Sequence, residues 1–392
     1  WESSPVSDFS SGIINPATLA PDDLSSGITI WNMHIVTVNT PVTADQIVVE
    51  AGATLTQINN LTLANGAGDD LTVNGTMDWQ SGSLSGAGLA KINGSLTWAT
   101  SDLAADLVMA VGSVTTKSGG SQITSGSVSN GGSFTWTSGD INLYSTTSFS
   151  NTATGTFTIT GNNNFQQISG TPTFTNAGTV TKTGGAGTTL ISVPTTNSGT
   201  ITGSVGTIYI SNGLTNTGTL SCPVVQVNGT SLLDAGTVMS VTDFQLLGGM
   251  LDVNPSLAFS SLKIMAGTCN LSLSCTFNSL QILGGTCNLS LPGTVLDFTF
   301  WGGTLNGPGS LTVSNTMDWQ EANMNTNLIL TSTCTFTKTA GGSQIIGGSV
   351  TNNGIVNWSG GHINLHNSTV FTNTITGMIN ATGNDLFQQT SG

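Results

Sequence analysis

The stretch FQLLGGMLDVNPSLAFSSLKIMAGTCNLSLSCTFNSLQILGGTCNLSLPGTVLDFTFWGG (244–303) decides how the rest of the chain is read. Four phrases inside it are alike: FQLLGG, LKIMAG, LQILGG and FTFWGG, headed by Phe244, Leu262, Leu280 and Phe298. Each head lies 18 residues after the one before. A fixed period of this length marks one structural unit stacked on the next. Inside the unit the rhythm is that of a strand. From Cys269 to Phe277 the odd positions are Cys269, Leu271, Leu273, Cys275 and Phe277, all apolar, while Asn270, Ser272, Ser274 and Thr276 fill the even ones. A two-residue period sends one set of side chains inward and the other outward.

Working outward, a looser phrase of small-polar, apolar, polar begins at Thr76, Ser95, Ser113, Ser133, Thr156, Thr179, Thr200 and Thr219, at spacings from 18 to 23. A longer repeat encloses these. Residues 119–170 align without a gap on 341–392, with 29 identities in 52 positions. Upstream, LTVNGTMDWQ (71–80) matches LTVSNTMDWQ (311–320). The first match is offset by 222 and the second by 240, so the first copy (71–170) holds 18 residues more than the second (311–392). A stack of turns tolerates this when the extra block is one complete turn.

No sustained helical period occurs, and short strands that return beside themselves every 18–23 residues describe a parallel β-helix. Each strand pairs with its equivalent one turn later at ~4.8 Å. The expected architecture is therefore all-β: an irregular N-terminal segment (1–30), then a single solenoid (31–392), right-handed because unequal turns suit a left-handed triangular coil poorly. Roughly 20 residues per turn gives about 17 turns.

Composition narrows the function. The chain has five Lys and no Arg against 19 acids, a net charge of -14, yet only 6% of its residues are charged. Nucleic acid is excluded as a partner, because phosphate neutralisation needs clustered cations. No run approaches the ~18 apolar residues of a membrane span. Five Cys in 392 residues do not make a disulfide scaffold. A chain that begins at Trp1, with no Met and no basic or apolar leader, is expected of a protein whose targeting segment has been removed, or of a fragment.

Asn74, Asn93, Asn130, Asn176, Asn197 and Asn216 each come just before a new strand, usually with Gly following. Asn and Gly accept the left-handed backbone of a sharp corner, and stacked Asn side chains can bond along the axis as a ladder. These are structural residues. Taken with them, HIVTVNTPVTADQIVVEAGATLTQINNLTLANGAGDDLTVNGTM (34–77) and the downstream TNxGTxT phrases resemble large secreted β-helix proteins of Gram-negative bacteria. They are most similar to surface proteins exported by the type IX route of the Bacteroidetes and to autotransporter-type adhesins. The resemblance implies an extracellular or cell-surface location.

Several groups invite chemistry. Asp69 and Asp70 in NGAGDDL (65–71) faintly resemble the Gly-Asp turns of calcium-binding β-rolls, which makes calcium a candidate cofactor, against the plainer reading of a polar corner. His362 and His366 sit four apart on one strand face, ~13 Å from each other, too far to share an ion. Asp78 and Asp318 hold the same place in the two TMDWQ phrases, and such duplication argues against a catalytic pair. Trp79, Trp98, Trp136, Trp319 and Trp358 recur at one strand position, either to stack on sugar rings or to pack. Cys269 and Cys287 stand 18 apart in identical GTCNLSL phrases, as inward hydrophobes first and a bridge second; Cys222, Cys275 and Cys334 have no evident partner. The expected function is structural and not enzymatic: an extracellular stalk, filament or adhesin that self-associates head to tail or continues in a longer chain. A carbohydrate-binding or polysaccharide-cleaving β-helix, acting on surface glycans, is the alternative.

Overall fold

The computed structural model describes residues 27–66 and 68–391, and the backbone of Glu2–Ser3 paired antiparallel with Asn15–Pro16. Most of the N-terminal segment expected to be irregular thus lies outside the described residues. Ile28–Ile30, at its end, is a strand that pairs parallel with Ile47–Val49. No helix occurs among the described residues. Parallel strands stack about 19 residues apart into a β-solenoid of about 19 turns. The chain divides into two compact units, Trp1–Gly185 and Ala186–Gly392.

In the first unit each turn lays down up to three strands. One stack runs from Ile35–Val38 through Thr54–Gln57, Thr76–Trp79, Ser95–Trp98, Val114–Lys117, Ser133–Trp136 and Thr156–Ile159 to Thr179–Lys182. A second includes Ser127–Asn130, Ser148–Asn151 and Thr173–Asn176, and a third Ser121–Ile123, Ile141–Leu143 and Asn164–Gln167. Three-residue to four-residue strands suffice because every backbone group of a rung can pair with the rungs beside it, and the inward residues of all three stacks close on one core.

The second unit repeats the scheme with near-constant turns where the period is 18. Phe244 pairs with Leu262, Leu262 with Leu280, and Leu280 with Phe298. All four side chains are buried. Corners here are set by glycine. Gly285 has φ +69°, and a Cβ on it would fall 2.4 Å from the carbonyl oxygen of Gly267, its equivalent one turn earlier. Any other residue would both strain the backbone and collide with the rung below.

The long repeat differs by one complete turn. The inward corner position reads Trp79, Trp98, Lys117, Trp136 in the first copy and Trp319, Lys338, Trp358 in the second. Two details of alternation came out otherwise. Val114, not Ser113, is the residue in register with Ser95 and Ser133. Val114 therefore faces solvent, 53% exposed, while Thr115 and Lys117 face the core. Leu273 does not join the inward row of Cys269 and Leu271, because the strand ends at Leu271 and Leu273 sits on the turn, 42% exposed.

Candidate functional site

The inward corner of each turn carries the most unusual chemistry. A corner leaves carbonyl groups without strand partners, and inside a solenoid they need a donor. Trp supplies one: the indole N–H of Trp79, Trp98, Trp136, Trp319 and Trp358 donates to the carbonyl three residues on, at 2.7–3.3 Å. Gln57 does the same with its amide, donating to Asn59 O and Ser83 O. Where the corner residue is Lys, the ammonium reaches several carbonyls together. Lys117 Nζ donates to Ala99 O, Ser118 O and Gly119 O at 2.6–2.9 Å and lies over the Trp98 ring. Lys182 Nζ donates to Gly161 O, Gly184 O and Asn162 Oδ1. Lys338 Nζ donates to the carbonyls of Gln320, Ala340 and Gly341.

All three ammonium groups are shut away from solvent. Burial pulls Lys117 and Lys338 down to about 8, and it lowers Lys182 too. The remaining two lysines are in ion pairs, Lys91 with Asp69 at 3.1 Å and Lys263 with Asp243 at 2.7 Å. The TxW phrase and the TxK phrase of TKSGG and TKTGG are thus one position with two donors. The recurrence of Trp was visible in the sequence; its equivalence with Lys was not drawn, because charge argues against burial.

The asparagines form two kinds of ladder. Asn130 Nδ2 donates to Asn151 Oδ1 at 2.8 Å and Asn151 Nδ2 to Asn176 Oδ1 at 2.7 Å; Asn197 donates to Asn216 at 2.6 Å. Asn93 donates to Asn74 at 2.9 Å, on the exposed side. The buried ladder starts at Asn130 because Met109 is the rung before it, which leaves Asn130 Oδ1 without a partner. A second ladder, absent from the sequence reading, runs on the outward side of the 18-residue turns: Asn270 donates to Asp252, Asn288 to Asn270, Asn306 to Asn288 and Asn325 to Asn306. Its signal was in the even positions of GTCNLSL.

Asp69 and Asp70 do not converge. Asp70 is buried, with one oxygen accepting from Gly66 N–H at 2.9 Å and the other from Leu89 N–H at 2.6 Å. Asp69 is held by Lys91. Both carboxylates are met by hydrogen donors, and burial together with the neighbouring Asp70 raises the pKa of Asp45. No group of three or more His, Cys, Asp or Glu side chains suited to a metal ion occurs among the described residues. The His366 Nε2–H donates to Gln344 Oε1 at 2.6 Å, whereas His362 faces Asp385.

All five cysteines are buried free thiols. Cys269 and Cys287 pair in register on adjacent turns. The hydrogen bond from Cys287 and burial together hold the Cys269 thiol well above its ordinary pKa. Burial raises Cys222 to about 12, Cys334 to about 11, and Cys275 as well.

One outward face gathers polar and aromatic groups. Asp243 accepts from Ser261, Lys263 and Gln245. Farther along the same stack, Asp297 accepts from Asn315 and Thr316 at 2.6–2.7 Å. Trp301, 50% exposed, donates its indole N–H to Asp318 Oδ2 at 2.8 Å. Asp297 is in register with Thr316, so Asp318 is one turn over and two residues on, about 8 Å away by strand rise and spacing. Among the described residues Trp301 and Trp31 are exposed, whereas Trp79, Trp98, Trp136 and Trp319 are packed inside. No family profile, curated protein or solved structure matches the chain.

Proposed function

We propose that this protein is an extracellular structural component, a length of β-solenoid that serves as stalk, filament or adhesin of a bacterial surface or matrix. The observation that carries the reading is where the chain's scarce chemical groups go. Three of its five cations close corner carbonyls, and its asparagines bond to their equivalents one turn away. These links repeat along the axis and gather at no single place. They add side-chain bonds to the stacked backbone pairing, which suits a load-bearing or presenting element. In this reading the turns associate head to tail with other turns, or run on in a longer chain. The test is incubation of the full chain with acidic and neutral polysaccharides, followed by mass spectrometry and micrographs of the same sample. Unchanged polysaccharide beside end-to-end particles is expected; unsaturated or shortened products overturn the reading.

The outward face of Trp301 favours a second function, binding of surface glycans. An exposed indole offers a stacking surface for a sugar ring, and Asp318, which accepts its N–H, stands beside it as a hydroxyl acceptor. Cleavage by a pair of carboxyl groups, as glycosidases use, is the stronger form of this alternative. Trp301→Ala is expected to abolish retention on a glycan column if the face binds sugar, and to change nothing if the face is inert.

A further inference from the structure

Trp301 is the last of four outward apolar residues that occupy one place on successive turns. Leu247, Met265, Leu283 and Trp301 close the phrases FQLL, LKIM, LQIL and FTFW, 18 residues apart. Their N–H groups bond the rung before in the same way, to Val227 O, Leu246 O, Ile264 O and Ile282 O at 3.0, 2.9, 3.0 and 3.1 Å. The four side chains therefore stand one above another at ~4.8 Å, a rail of ~14 Å. Met265 is 44% exposed, and Leu247 and Leu283 are half-buried. Polar residues hold the same place beyond the rail. Ser211 and Asn228 precede it, and Gln320 and Thr339 follow. Further rungs continue past both limits, so the rail is bounded by residue type and not by an open end.

The two sides of the rail differ. Two residues back on each strand stand Gln245, Lys263, Gln281 and Thr299, in register with one another. On the other side each rail residue is followed by Gly-Gly or Ala-Gly, a shelf with no side chain larger than a methyl. A Cβ on Gly284 would fall 2.5 Å from Met265 O, and one on Gly302 would fall 2.6 Å from Leu283 O. An apolar strip thus runs between a row of hydrogen-bonding groups and bare backbone.

We propose that this rail binds a single neutral, extended polysaccharide chain lying parallel to the solenoid axis. Pyranose rings set their C–H faces on Leu, Met and indole, and their hydroxyls meet the amides and hydroxyl of the adjoining row. The rail repeats once per rung, close to the advance of one sugar unit in an extended β-linked chain. Charge selects a neutral chain. Lys263 is the one basic residue between 183 and 337, and Asp243 already holds it at 2.7 Å. Asp318, bonded to the Trp301 indole, would repel a uronate. Size selects a slender ligand, since four side chains fall far short of the ~20–30 residues a side of a stable protein interface. The inference rests on the glycan-binding reading of Trp301 and extends it from one indole to four rungs.

The test is isothermal titration of the full chain with β-1,4-glucan oligosaccharides of increasing length, and with oligogalacturonates as the acidic series. Glucan affinity is expected to climb with length up to roughly three or four units, the ~14 Å of the rail, and then to level off. Oligogalacturonates should bind at least about tenfold more weakly. Met265→Ser and Leu283→Ser are each expected to weaken glucan binding roughly fivefold, while Met265→Leu, which keeps the apolar surface, binds as the parent does. Loss of binding in Trp301→Ala with no change in the two Ser variants overturns the rail and leaves the glycan reading standing. Affinity that does not depend on length, or tighter binding of the acidic series, does the same. No binding of either series overturns both.

Discussion

The corner lysines show how a single residue type is admitted to a place that its charge should forbid. An ammonium carries three donors, and the corner presents two or three carbonyls at once, so the charge is shared among dipoles instead of a counter-ion. The cost is visible in the lowered pKa of Lys117 and Lys338, both about 8. Lys117→Leu orphans three carbonyls and is expected to lose ~2–3 kcal/mol; Lys117→Trp restores the indole bond used at Trp98 and Trp136 and should lose less. Denaturant titration orders the two, and an equal loss would refute the donor account. The same groups set a pH profile. Between about 8 and 10.5 the unfolded chain binds more protons at Lys117 and Lys338 than the folded one, so stability rises with pH there, and the lowered pKa of Lys182 acts in the same direction. The thiols act oppositely. From 9.0 upward the unfolded cysteines ionise while Cys222, Cys269, Cys275 and Cys334 stay protonated in the fold, so stability falls. The lysines act from about pH 8 and the thiols oppose them from 9.0 upward, so the profile turns over above pH 9. Under reducing conditions, chemical denaturation at half-unit steps from pH 7 to 11 should trace a rise and then a fall; a monotonic decline from pH 7 would contradict the buried lysines.

At the scale of the element, a strand here is defined by its rungs above and below more than by its own residues. Leu280 lies buried between Leu262 and Phe298, and Lys263 on the adjacent rung is held by Asp243. Leu280→Asp is expected to cost several kcal/mol, read as a large drop in melting temperature; a shift of a degree or two would mean that the register is wrong. Gly285→Ala should be nearly as damaging, despite being a single methyl, because the collision is with backbone and the φ is positive. The fold was legible in these elements because the inward residues of FQLLGG and its relatives are apolar in every turn. Legibility failed where polarity and burial part company. Val114 was read inward and Ser113 as the strand head, since alternation alone cannot know that Thr115 bonds Met109 Sδ and that Lys117 reaches a corner. Of the candidate sites, the Asn corners could be named from their spacing. Trp301 was passed over because it lies off the recurring TxW position, although the two-residue period from Phe298 turns it outward.

For the molecule as a whole, the repeat arithmetic makes the strongest claim: turns are interchangeable units. Between the two long copies one complete turn is present or absent, and the corner series Trp, Trp, Lys, Trp against Trp, Lys, Trp shows that its neighbours keep their pairing. Deleting 262–279 would bring Leu280 to the place of Leu262 and Gly285 to that of Gly267, with Ser261 still leading, as Ser279 led before. Every inward residue, every corner glycine and the outward Asn ladder would then find an equivalent partner. Nearest-neighbour energetics predict a small loss for such a removal, since one interface of the same kind vanishes with one turn. Removing only 262–270 is a different operation. It moves Leu271 to the place of Leu262, shifts the glycine corners by half a turn against the rungs below, and leaves buried N–H and C=O groups without partners. The eighteen-residue deletion is expected to keep the β-sheet circular dichroism of the parent and to melt within a few degrees of it, while the nine-residue deletion should lose cooperative melting. Equal spectra and equal melting for the two variants would show that the period read from Phe244 to Phe298 does not govern how the chain stacks.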